Sequence, residues 1–119
     1  MSGNIKYDKW INDDNSENYK CRAWVNFDGE GTVAIRASGN VSSVTDNGTG
    51  KFTVNFISDM VDVNYAINAL SSATAGTTYV RDVVAFDDYV STSSVQLGFQ
   101  HNQNYSWSDP VLASVTIFR

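Results

Sequence analysis

Residues 21–56, CRAWVNFDGEGTVAIRASGNVSSVTDNGTGKFTVNF, decide how this 119-residue chain folds. Three polar or Gly-rich turns divide the stretch into four short runs rich in Val, Ile, Thr and aromatic residues. The runs are 22–27, 32–38, 41–46 and 51–58, separated by Asp28-Gly29-Glu30-Gly31, Gly39-Asn40 and Asn47-Gly48-Thr49-Gly50. Asp-Gly and Asn-Gly turns favour β-hairpins, because glycine takes the positive φ angles that tight turns require. Two runs alternate cleanly. Ala23, Val25 and Phe27 fall on one face against Arg22, Trp24 and Asn26; Phe52, Val54 and Phe56 fall on one face against Lys51, Thr53 and Asn55. A period of two is the pattern of half-buried antiparallel strands. Arg36 falls on the polar side of its run, where an acidic cross-strand neighbour is expected. Val41 and Val44 break strict alternation, which points to a bulge.

Working outward, a connection at 58–63 leads to a strand at 65–73, with Tyr65, Ile67 and Ala69 expected in the core and a turn at Ala75-Gly76. The run 79–86 is apolar on both faces: Tyr79, Val83 and Ala85 against Val80, Val84 and Phe86. Residues 87–94 read as a loop. Val95, Leu97 and Phe99 alternate with Gln96, Gly98 and Gln100, and 101–110 is a polar loop. The run 111–118 is again apolar on both faces, Val111, Ala113, Val115 and Ile117 against Leu112 and Phe118. Strands apolar on both sides need a second covering layer, either a facing sheet or a neighbouring subunit. About eight short strands with closely spaced turns predict an all-β, small antiparallel β-sandwich, jelly-roll-like, over 21–119. Residues 1–20 form a polar N-terminal arm whose apolar members are Ile5, Tyr7, Trp10 and Ile11.

Composition narrows the function classes. The net charge is −5, from 13 acidic and 8 basic residues, and no Lys/Arg cluster offers a track for nucleic-acid phosphates. No apolar run reaches the length of a membrane span, and the N-terminus lacks the pattern of a signal peptide. The one cysteine, Cys21, is in register with Ala23 and Val25 and is expected as a small buried residue. His101 is the one histidine; with no second cysteine, a zinc site there would need a rare set of carboxylate or amide ligands. No nucleophile-elbow word supports a catalytic triad, and the Asp residues at 59, 62, 87 and 88 suggest solvated charge rather than an acid/base couple. The acidic run Asp13–Asn18 lacks the sixth-position Gly and distant Glu of a calcium loop and reads as a solvated turn. The sequence therefore calls for no catalytic residue, metal or cofactor.

Aromatics on polar segments are the stronger signal. Tyr105 and Trp107 lie in a loop with His101, Asn102 and Asn104. Rings beside amides suit sugars, since a ring packs on the apolar face of a sugar while amides take its hydroxyls. Trp24 shares its face with Arg22 and Asn26, and is expected to be covered by a partner subunit or by the N-terminal segment; with Phe118 it marks an expected subunit interface.

The words RAWVNF (22–27), GTVAIR (31–36), NVSSVTDNGTG (40–50) and FTVNF (52–56), with the closing VTIFR (115–119), resemble a module at the C-terminal ends of bacteriophage tail-fibre-like virion proteins, of the kind found in marine and cyanobacterial phages. The resemblance is dense over 21–58 and thin over 71–110. It implies a virion structural protein, homotrimeric, made in the host cytoplasm and assembled into the particle. On that expectation Tyr7, Trp10 and Ile11 anchor the arm to another virion protein. The loop residues His101, Asn102, Asn104, Tyr105 and Trp107 meet a host-surface glycan or receptor. Alternatives from other classes are a carbohydrate-binding module and a capsid head-decoration or head-fibre protein.

Overall fold

A computed structural model describes residues 3–4, 6, 9–72 and 81–119. Two strands of two residues, β1 (Trp10–Ile11) and β2 (Glu17–Asn18), form a small ribbon in the arm. Eight longer strands follow: β3 (Cys21–Asp28), β4 (Ala34–Gly39), β5 (Val41–Asp46), β6 (Lys51–Phe56), β7 (Ala66–Ser71), β8 (Arg81–Val90), β9 (Ser94–His101) and β10 (Ala113–Phe118). They form two four-stranded antiparallel sheets, the first in the order β4-β3-β10-β7 and the second β5-β6-β9-β8. This is the expected antiparallel sandwich. The arm ribbon brings the described strands to ten, two more than anticipated, because residues 10–18 carry no apolar alternation to announce it.

The core follows from alternation. Val25 of β3 lies opposite Val115 of β10, with Phe27 against Ala113 and Ala23 against Ile117. On the second sheet Phe52 of β6 faces Leu97 of β9, and Val54 faces Val95. All of these residues are buried. Each central strand therefore points its apolar set at the other sheet, as the sandwich geometry demands. Phe27, Phe52 and Phe99 meet across the sheets edge-to-face, with centroids 5.4, 5.9 and 6.4 Å apart. Tyr65 and Ile67 do face the core, Tyr65 buried with its hydroxyl donating to the Ser91 carbonyl at 2.8 Å.

The anticipated bulge is present: the register of β5 on β6 slips between Val41 and Ser43. Arg36 has its acidic neighbour in Asp28 at 3.8 Å, and also donates to the Val111 carbonyl at 2.7 Å.

Several expectations need correction. Gly39-Asn40 is not a hairpin turn; β4 and β5 belong to different sheets. Asn40 has φ 54°, its Nδ2 donates to the carbonyls of Arg22 and Ser58, and its Oδ1 accepts from the Ser58 amide at 2.7 Å. One left-handed residue with three side-chain bonds thus swings the chain from one sheet to the other. Residues 87–90 are not loop but the end of β8, which leaves its partner after Ala85 and rejoins it at Val90 opposite Val95. Cys21 is exposed rather than buried. It opens its strand beside a register shift at Ile117/Phe118, which takes it out of the inward row of Ala23 and Val25. Tyr79, Val80 and the turn at Ala75-Gly76 lie outside the described residues.

Phe52→Ala should lower stability by about 3–5 kcal/mol, the cost of an unfilled aromatic site in a core. Equilibrium denaturation with urea measures it. A loss below 1 kcal/mol would mean that the inter-sheet aromatic cluster does not hold the sandwich.

Candidate functional site

The loop after β9 is held by hydrogen bonds at its base and near its tip. The Tyr105 amide donates to the His101 carbonyl and the His101 amide to the Ser106 carbonyl, at 3.0 and 2.9 Å. Asn104 Oδ1 accepts from both the amide and the hydroxyl of Ser106, and Tyr105 takes φ 58° at the tip. The chain then returns beside β9, with Trp107 bridged to Gln100 and the Ser108 amide donating to the Phe99 carbonyl at 3.0 Å. Asp109 Oδ1 accepts from the Gly50 amide at 2.7 Å, and the Phe99 amide donates to the Gly50 carbonyl at 2.7 Å. Gly50 has φ 73°, and a Cβ there would stand 2.7 Å from both the Phe99 carbonyl and the Ser108 amide. The loop is thus latched onto the β5–β6 turn.

This folding divides the five residues that the sequence groups together. Asn102, Asn104 and Tyr105 are exposed at the tip, with Tyr105 69 % accessible. His101 is half-buried at the end of β9, opposite Arg81. Trp107 does not project with the tip. Its ring lies on the outer face of the second sheet, 5.6 Å from the Phe86 ring and with Lys51 Nζ 4.9 Å from its centroid. Gly98 makes this possible: a Cβ there would lie 2.5 Å from Trp107 Cζ3 and 2.9 Å from Phe86 Cε2. The covering layer that Phe86 requires is therefore supplied partly by the chain's own loop. Lys51, Phe86 and Gly98 escape a reading by sequence, since only strand register brings them to Trp107. The one available signal is Gly98 within an alternating run, because glycine in a strand often marks a close approach.

Trp24 and Phe118 share the outer face of the first sheet. Trp24 lies over Gly39, where any Cβ would collide with the indole nitrogen, and 41 % of it remains accessible. Leu70 of β7, 62 % accessible, falls on the same face through its pairing with Ser114. In the arm, Trp10 and Ile11 are exposed, 57 % in the case of Trp10; Tyr7 lies outside the described residues. The turn between β1 and β2 satisfies its own oxygens. Asp14 accepts from the Ser16 amide and hydroxyl, which lowers its pKa, and Asn12 pairs with Asn18.

A groove of about 680 Å³ runs between the arm and the end of the sandwich, lined among others by Lys9, Glu17, Tyr19, Arg22, Met60 and Arg119. At this end Arg119 grips Asp62 through two bonds of 2.8 and 3.0 Å. That pairing, with the Asn64 amide, holds the Asp62 carboxyl down to a pKa of about 2. Among the described residues, no group of three His, Cys, Asp or Glu side chains is placed to hold a metal ion. No family model, curated protein or solved structure matches the chain.

Gly98→Ala should displace the Trp107 ring, costing about 1–3 kcal/mol as an overpacked site and shifting tryptophan emission to the red. A variant with unchanged emission would contradict this packing. Asp62 has its folded pKa depressed, so its stabilising contribution is full above the ordinary carboxylate range and is lost as pH falls toward 2. In carboxyl-carbon NMR titrations, Arg119→Ala should move the Asp62 midpoint upward.

Proposed function

We propose that this chain is a bacteriophage virion structural protein, a fibre or fibre-tip module that acts by trimeric self-assembly and attachment to a host surface. The observation that carries the reading is the exposure of two large apolar side chains on the outer face of the first sheet, Trp24 at 41 % and Leu70 at 62 %, on the face that also carries Phe118. Large apolar side chains left exposed on one sheet face suit a protein-protein contact. The resemblance of residues 21–58 to fibre-type modules supplies the biological setting. The arm, with Trp10 and Ile11 exposed, would engage another virion protein, Tyr7 taking part with them. The loop tip and the second sheet would face the host, where weak contacts gain strength from being repeated in each copy. The reading assigns no catalytic residue, metal or cofactor.

A carbohydrate-binding module is the second reading, favoured by the Trp107–Phe86 pair on the second sheet. Light scattering on the purified chain separates assembly from a solitary module. The expected mass is three times that of one chain, and Trp24→Lys should weaken association by at least about tenfold, as loss of a central aromatic anchor does. A monomer at micromolar concentration would overturn the assembly reading.

A further inference from the structure

The outer face of the second sheet carries its own tryptophan, seated over a strand glycine. Register sets Thr53 opposite Gln96, Lys51 opposite Gly98, and Trp107 opposite Gln100. The Trp107–Phe86 pair therefore lies among hydroxyl and amide groups, with Val84 and Asp82 of β8 on the same face opposite Gly98 and Gln100, and with the Lys51 ammonium over the indole. The pair is built in rather than accidental. Gly98 lacks the Cβ that would push both rings off the strand, and the bonds from Gly50 to Asp109 and Phe99 fix the backbone that carries Trp107.

We infer that this face is a glycan-binding platform, taking a segment of uncharged hexose polysaccharide. The C–H face of one sugar ring takes the place of the Lys51 ammonium over Trp107 and packs against Trp107 and Phe86, while Thr53, Gln96 and Gln100 exchange hydrogen bonds with its hydroxyls and the displaced Lys51 donates to them. Three features select this ligand class. Aromatic rings offer an apolar surface to a sugar's flat side without demanding charge. Amide and hydroxyl side chains both donate and accept, as sugar hydroxyls do. A single lysine is too little positive charge for a nucleic-acid backbone, and half-buried rings set among amides lack the open apolar centre of a protein interface. Because the rings are already held in place, little ordering cost opposes binding. The inference deepens the attachment half of the reading above and rests on it.

The test is an NMR titration of the full-length ¹⁵N-labelled chain with four uncharged probes: cellohexaose, maltohexaose, chitohexaose and mannohexaose. At least one should shift the amides of 51–53 and 96–100 together with the Trp107 indole N–H. Gln96→Ala, which leaves the loop anchors intact, should weaken that probe by about fivefold, the size of one lost hydrogen bond. Trp107→Ala should abolish binding, with its thermal melt recorded alongside to separate this from unfolding. Shifts confined to 102–105 or to the groove beside Arg22, or none with any of the four probes, would overturn the proposal. An assembled chain that ignores every probe removes this inference and leaves the assembly reading standing; a monomer that binds does the reverse.

Discussion

The edge-to-face contact among Phe27, Phe52 and Phe99 is the interaction on which the rest of the molecule depends. Phe27 belongs to the first sheet, Phe52 and Phe99 to the second, so the cluster joins the two layers directly. With no disulfide available to a chain holding one cysteine, burial must hold the sheets together. The aliphatic rows of β3, β10, β6 and β9 extend the same contact along the sandwich. Aromatic pairs in this geometry add attraction beyond the area they bury.

That core also positions what lies outside it. The carbonyl of Phe99 receives the Ser108 amide and its own amide donates to Gly50, so the backbone carrying a central core ring also carries the loop. Anything that loosens Phe99 from Phe27 and Phe52 loosens the placement of Trp107. Asn40 has the corresponding role at the other end, where its side-chain bonds reach both the start of β3 and the connection after β6.

The two outer faces each seat a tryptophan by the same device. On each, a glycine on the strand allows a tryptophan to lie close to the backbone, Gly39 beneath Trp24 and Gly98 beneath Trp107. Their surroundings separate them. Trp24 shares its face with Arg22, Asn26, Thr116 and Phe118, whereas Trp107 is paired with Phe86 and has Lys51 above it, with Thr53, Gln96 and Gln100 on the same face. An exposed indole offers an anchor to a protein partner, and a ring pair among hydroxyl and amide groups suits a polar ligand that offers a flat apolar side.

Alternation alone determined the sandwich and most of its core: Val25 and Phe27, Phe52 and Val54, and Leu97 and Phe99 were legible because a strand's side chains repeat every two residues. The three-residue step from Val41 to Val44 disclosed its bulge for the same reason. What pattern could not disclose were facts about where separate strands meet. Gly39-Asn40 resembles a hairpin turn in sequence, though the left-handed backbone and side-chain bonds of Asn40 send β5 to the other sheet; Cys21 keeps step with the buried Ala23 and Val25, though a register shift beside it leaves it exposed. The site divides in the same way. Tyr105 and Trp107 stood out as rings in a polar loop, but only tertiary structure separated an exposed tip from a ring laid across Gly98 beside Phe86 and Lys51. Local periodicity tells which way a residue points along its own strand, and pairing between strands distant in sequence decides what it touches.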